Sequence, residues 1–252
     1  MASSPRAPRR VQAAVLHGAL VLVAEGYGSA REKAEREVSL LEAGPSPGYL
    51  DALVSIVSAR GDDADGDGPR AATAARLLAA ICLKNVAGKR WRPARGRSGE
   101  PLDDAEKASC RAWLASERGA LEEQDRRVAA QLRLCVRKVV KADWPKAWPE
   151  APALFLERHG SGGRTGPARE ALFVFASVVK EMARKTLPGD RRAFAAAAAH
   201  LLPALAARLA AAGATLVAAT DRGDDQGRQR VIQRRFNVGV LEVIAERKAS
   251  TL

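Results

Sequence analysis

Two stretches of this chain hold residues whose types and spacing could do chemistry. Asp63, Asp65 and Asp67, followed by Gly68, resemble the oxygen ligands that open a calcium loop. Such a loop closes on a bidentate glutamate at its twelfth position. Counted from Asp63 that position is Ala74, and Pro69 and Arg70 fall where the loop should enter its short pairing segment. The run Gly61–Gly68 therefore reads as a solvated acidic linker. Gly160 to Gly166 has the glycine density of a phosphate cradle, but it lacks the lysine and follows a helical pattern instead of a strand. It too reads as a linker. His17, His159 and His200 have no cysteine or carboxylate at ligand spacing. Cys82, Cys110 and Cys135 lie far apart in helical patterns, and an odd number makes a poor disulfide framework. A reduced intracellular compartment fits them. The expectation is a non-enzyme with no catalytic residue, no metal and no cofactor.

What remains is a chain that works through surfaces. Of 252 residues, 47% are apolar but only 4% aromatic, and alanine dominates. Alanine, leucine, arginine and glutamate favour helix, and the alternating β-branched runs of strands are missing. The fold class expected is all-α. The net charge of +12 admits a nucleic-acid or anionic-membrane partner; the blander account is an arginine-rich composition spread over solvated helix faces. We count no apolar run of the roughly 18 residues that a membrane span needs, so no membrane is expected.

In chain order, residues 1–10 read as disordered. Val11 to Ala24 mimics a signal or transit peptide, yet it carries Gln12 and His17 and runs straight into Glu25, which favours a first packed helix. Ser29-Ala-Arg-Glu32 has the form of a capping box for a helix bearing Ala34, Val38 and Leu41, stopped by Gly44-Pro45. Ser46 is expected to cap the next helix, with Pro47 at its first position. Tyr49, Leu50, Leu53, Val54 and Val57 make its apolar face, and Asp51, Ser55 and Ser58 lie opposite. Arg70 to about Lys89 forms a long helix with Leu77, Leu78, Ile81, Cys82 and Val86, followed by a basic loop from Arg92 to Arg97. Asp103-Asp-Ala-Glu106 is a second capping box, for a helix carrying Cys110, Trp113 and Leu114 and stopping near Gly119.

The next helix, about Leu121 to Ala142, sets Val128, Leu132, Cys135, Val136 and Val139 against Arg133, Arg137 and Lys141. Asp143-Trp-Pro-Lys-Ala-Trp-Pro-Glu150 follows, and proline after each tryptophan makes it a rigid turn. Pro149 and Pro152 suit the first and fourth positions of the helix beyond, anchored by Leu154 and Phe155. Pro167 opens another helix with Leu172, Phe175, Val179 and Met182 inward. Asp190 is expected to cap the last long helix, with Phe194, Leu201, Leu202, Leu205 and Leu209 inward and a kink at Pro203. Helix pairs thus recur about every 40 to 50 residues, about four times. Each pair exposes an apolar face that stacking would bury, which is an α-solenoid of HEAT type, a right-handed superhelical stack. The domain expected spans 11–219, with a divergent, poorly ordered tail at 220–252.

Particular residues sharpen this. Ala34-Glu35…Leu40-Leu41, then Pro47-Gly48-Tyr49…Leu53-Val54-Ser55-Ile56, then Arg76…Ala79…Leu83-Lys84-Asn85-Val86…Trp91 resemble the N-terminal region of the importin-β (karyopherin-β) superfamily. Asp143 to Glu150 is similar to that family's "DWP..WPEL" signature, with Ala151 where leucine is usual. Lys185 to Phe194 looks most like the importin eleven branch. The resemblance covers about residues 12–215. It implies an N-terminal segment of a nuclear transport receptor that binds the small GTPase Ran in its GTP form and serves protein import, shuttling between nucleus and cytoplasm at the nuclear envelope, as a monomer. It implies cargo and nucleoporin contacts as well, but these belong to later repeats that this chain lacks.

In that family Ran is held largely by the second helices of the repeats. Mapped here, the candidates are Asp51, Ser55, Ser58, Asp104, Lys107 and Arg111. Lys84, Asn85, Trp91, Trp144, Trp148 and Pro149 carry the resemblance itself and are expected to be structural. The family is usually acidic whereas this segment is basic. The alternative is therefore a basic helical-repeat scaffold for RNA or another acidic partner, resting on the charge and on the Arg133, Arg137, Lys141 face.

Overall fold

A computed structural model describes residues 10–44, 46–59, 69–92, 102–116, 119, 123, 125–158 and 167–220, of which 69–70, 156–158, 167–173, 205 and 208–220 are described by their backbone alone. The acidic run before Pro69, the loop beyond Arg92, the glycine-rich run with His159, and the tail lie outside these residues. Every regular element among the described residues is a helix: α1 (Ala13–Glu25), α2 (Gly28–Ala43), α3 (Tyr49–Ser58), α4 (Pro69–Lys89), α5 (Asp104–Leu114), α6 (Arg126–Asp143), α7 (Ala151–Arg158), α8 (Pro167–Ala183) and α9 (Pro188–Thr220). The all-α expectation holds, and the helices pack on one another as stacked pairs of the α-solenoid kind. The chain divides into two units, 1–142 and 143–252, the boundary falling where the tryptophan turn begins.

In the first unit α1 pairs with α2, and α3 with α4. The pairs stack so that α1, α3 and α5 form one row, while α2 and α4 touch in a second row. α6 extends that second row: Lys84 Nζ of α4 donates to Gln131 Oε1 of α6 over 3.0 Å. The core is built from Leu16 and Leu20 of α1, Tyr49, Leu50 and Leu53 of α3, Leu83 and Val86 of α4, Leu114 of α5, and Leu132, Val136 and Val139 of α6, all at most 1% exposed. The 11–24 stretch is thus the first packed helix.

α4 departs from expectation in two respects. Its buried side is mostly Ala71, Ala75, Ala79 and Ala80 with Leu83, whereas Leu77, Leu78 and Ile81 are half-exposed. Small residues let α1 and α3 lie close to it, so the larger side chains turn aside. In addition, Ala71–Lys89 is long and apolar enough to cross a membrane, but half of it is buried inside the protein. It is the core helix of the unit, packed by α1, α2 and α3.

Several helix starts differ from expectation. α2 begins at Gly28 after Tyr27, without a side-chain cap, so Ser29 lies inside the first turn and the first capping box does not form. Ser46 does not cap α3 either: Gly48, at φ +76°, is the residue before the helix, and Pro47 sits in the turn. That left-handed conformation suits glycine alone, and a Cβ there would lie 2.6 Å from the Arg10 side chain. The second box forms by half. Asp103 accepts the Ala105 N–H at 3.0 Å, but Glu106, instead of folding back, takes the Gly48 N–H and ties α5 to the start of α3.

α6 begins at Arg126, later than its periodicity suggests, because Asp125 accepts the Arg127 and Val128 N–H groups at 2.8 and 3.2 Å. Partial burial opposes ionisation of Asp125, yet those two N–H groups and the Arg127 charge hold its carboxyl below the usual carboxylate range. Asp125→Ala should cost about 1 kcal/mol, read as a lower urea midpoint. With the folded value depressed, the contribution is full above the unfolded carboxylate value and is lost as pH falls through the folded one.

In the second unit α7, α8 and α9 pack mutually. Trp144 and Trp148 are each 2% exposed. Trp148 meets Phe155 of α7 edge-to-face, with centroids 5.8 Å apart at 71°. Lys185 reaches back over the Trp144 ring at 5.6 Å and donates to the Trp144 carbonyl. The Trp144–Pro145 peptide is cis. Pro149 lies before α7, and Pro152 is its second residue instead of its fourth. Asp190 sits within the first turn of α9 instead of capping it, because Pro188 opens the helix. Pro203 lies inside it.

Candidate protein-interaction faces

The stacking decides which side chains each face presents. Asp51, Ser55 and Ser58 stand on α3; Asp104, Lys107 and Arg111 stand on α5. The two helices are neighbours, so the sequence-derived positions do share one face. That face, however, is the row of α1, α3 and α5, in which α1 and α3 are the first helices of their pairs, and not the second-helix row on which they were expected. Because α1 pairs with α2, α3 opens the next pair instead of closing one.

Four of these six residues have polar partners within the protein that can be named. Asp51 Oδ2 accepts from Arg10 at 2.9 Å. The Ser58 hydroxyl donates to the Val54 carbonyl at 2.8 Å, while Ser55 is exposed. Lys107 Nζ donates to Asp104 at 2.9 Å, and that hydrogen bond together with the Lys107 charge lowers the Asp104 carboxyl below its usual range. Arg111 is half-buried in the last turn of α5.

The residues of the resemblance fall mostly in the core. Trp91 is 1% exposed, and Trp144 and Trp148 are buried, while Pro149 is exposed in the turn. Lys84 and Asn85 are half-buried on α4, with Lys84 spent on Gln131. Arg76, from the same motif, is 9% exposed. Its Nε donates to the Val57 carbonyl at 3.1 Å and its guanidinium pairs with the buried Glu123 carboxylate. One arginine therefore joins the end of α3, the body of α4 and the segment entering α6. The sequence motif includes Arg76 but gives no sign of its partner, which lies 47 residues on and before the start of α6.

The second row carries α2, α4 and α6. Lys89 at the end of α4 pairs with Glu42 of α2 at 2.6 Å. Among the described residues, no group of three or more histidine, cysteine or acidic side chains could hold a metal ion. The three cysteines are buried free thiols. Burial pushes Cys82 up to about 11 and Cys135 up to about 12, from an ordinary value of 9.0, and Cys110 well above it. Burial, followed by the Cys82 thiol, likewise raises the Tyr49 phenol.

Their folded values exceed the unfolded ones. The neutral thiols therefore stabilise fully below the unfolded value, and the contribution is lost as pH rises from about 9 through 11 or 12. Stability should fall by up to about 1.4 kcal/mol per thiol per pH unit in that window. Urea midpoints between pH 8.5 and 10.5 test this, with a shallower fall expected for Cys82→Ala. At neutral pH a maleimide should label the folded chain slowly and the urea-unfolded chain at once.

The fold and these faces define an all-helical protein of stacked helix pairs. No family model matches the chain. It is similar to Importin-11 of mouse and to Importin-11 of human, at 29% identity over 119 residues in each, which is 47% of this chain and 12% of the relative. The matched segment is therefore about one-eighth of those proteins' length.

Proposed function

We propose that this chain is the N-terminal part of a nuclear transport receptor and binds Ran in its GTP form. The observation that carries the reading is the 29% identity to Importin-11 on a chain folded as stacked helix pairs. The Lys84-Asn85…Trp91 and tryptophan-turn motifs support it from within the sequence. In this reading about four HEAT-type repeats span 11–219. Because the resemblance implies contact through second helices, the GTPase belongs on the row of α2, α4 and α6. The six positions on α3 and α5 then form the comparison face. Cargo and nucleoporins would be engaged by further repeats of a full-length receptor, which shuttles between nucleus and cytoplasm.

The test is a pull-down of purified chain with GTP-loaded and GDP-loaded Ran. Retention of the GTP form alone is expected; equal retention of both, or of neither, overturns the proposal. Charge reversal at Asp104 and Lys107 should leave binding unchanged, and a loss there would return the contact to the first-helix row.

A further inference from the structure

The second-helix row carries a strip whose chemistry is unlike the rest of the unit. Arg127, Gln131, Leu134, Lys138 and Lys141 follow one another on α6 at spacings of four and three, so they lie along one side of the helix. Leu134 is 38% exposed, and Arg127, Lys138 and Lys141 are exposed. α4 lies beside them. Leu77, Ile81, Lys84 and Gly88 share its corresponding side by the same spacing, with Leu77 and Ile81 half-exposed.

Two contacts place the helices against each other. Lys84 donates to Gln131. At Gly88 an added Cβ would lie 2.4 Å from Lys138 Nζ, so the missing side chain is what lets that ammonium rest on the α4 backbone. It lies there in the last turn of α4, where unpaired carbonyls and the helix dipole favour a cation. Lys84 has an amide partner and not a carboxylate. Among the described residues, neither Lys138 nor Lys141 forms an ion pair.

We infer that this α4–α6 strip docks an acidic amphipathic peptide helix of a partner protein. The complement of the strip is fixed by its two components. Leu134, Leu77 and Ile81 call for aliphatic side chains at helical spacing. Lys84, Lys138 and Lys141 call for carboxylates beside them, which steer association and set orientation. Single-stranded RNA suits the strip less well. It is held by aromatic platforms under the bases along a cationic track, and the strip has no aromatic side chain, while its exposed apolar member would face phosphates. The strip lies on the row that the Ran reading gives to the GTPase, so the peptide and Ran would compete for it; the inference does not rest on that reading, since its assay contains no GTPase.

The experiment is fluorescence anisotropy of a fluorescein-labelled peptide of about five helical turns, with glutamate on one face and leucine on the other, titrated with the full 252-residue chain. Saturable binding is expected that weakens as salt rises and vanishes when the glutamates are replaced by lysine. The double variant Lys138→Glu, Lys141→Glu should weaken it by about tenfold or more. Leu134→Ala should weaken it as well. All three positions are exposed, and matching thermal melts establish that the variants are folded. Absent binding, or binding indifferent to the double variant in a folded chain, overturns the proposal. So does tighter binding of an oligouridine that ignores Leu134→Ala, which would assign the strip to nucleic acid.

Discussion

Glu123→Ala should destabilise the first unit by about 3–5 kcal/mol, among the larger effects expected of a single substitution in this chain. Glu123 and Arg76 have side chains 5% and 11% exposed. Removing the carboxylate leaves the guanidinium buried without a counter-charge, with the Val57 carbonyl still accepting from Nε. The cost is that of an uncompensated buried charge, more than the loss of the pair's attraction. The paired variant Arg76→Met, Glu123→Leu separates the two. It removes both charges while keeping apolar volume, and should recover most of the loss, to within about 1–2 kcal/mol of the parent chain. Urea unfolding of both variants measures this directly. If the single and double variants fall equally, the arginine is solvated and the knot contributes packing alone. Because Arg76 joins α3, α4 and the entry to α6, the single variant should also blur the register of α6 on α4, and with it the Lys138 ammonium over Gly88.

Trp148→Ala should destabilise the second unit by about 3–5 kcal/mol, as for other buried aromatics truncated to alanine. The ring is 2% exposed and stands edge-on to Phe155, so the change opens a cavity and removes an aromatic pair together. α7 is only 8 residues long, too short to persist without tertiary packing. A melting temperature unchanged from the parent would show the ring to be exposed and would make Trp148 a binding candidate. Trp148→Phe should recover part of the loss, since it keeps an aromatic partner for Phe155 at smaller volume.

Helix existence was legible in the sequence throughout, while several helix starts were not. Asp103 was read correctly because a carboxylate one residue before a helix satisfies N–H groups locally. Ser29 and Ser46 have the same signature and do not cap. At Gly48 the backbone turns left-handed immediately before α3, with Arg10 packed where a Cβ would project, so Gly48 and not Ser46 precedes the helix. The tryptophan turn was legible as a rigid corner because proline restricts the residue before it whatever the surroundings. The candidate site was legible only in part. The polar side of α3 could be read from its period, but which row of the stack α3 belongs to could not. Leu134 is likewise invisible as a surface residue in a helix whose other aliphatic positions are buried.

The sequence by itself determined that the chain is helical, that its helices pair and stack, and that its motifs resemble one family of transport receptors. These follow from propensity, period and local turn chemistry, which act over a few residues. Only the tertiary structure decided that Arg76 meets Glu123, that Glu106 reaches Gly48 instead of closing its own box, and that Gly88 makes room for Lys138. It also put Asp51 and Asp104 on the first-helix row. Each of those pairings joins residues 47 to 58 positions apart, or sets one helix against another, and depends on how apolar faces stack. Periodicity shows that a face is buried; it does not show against what.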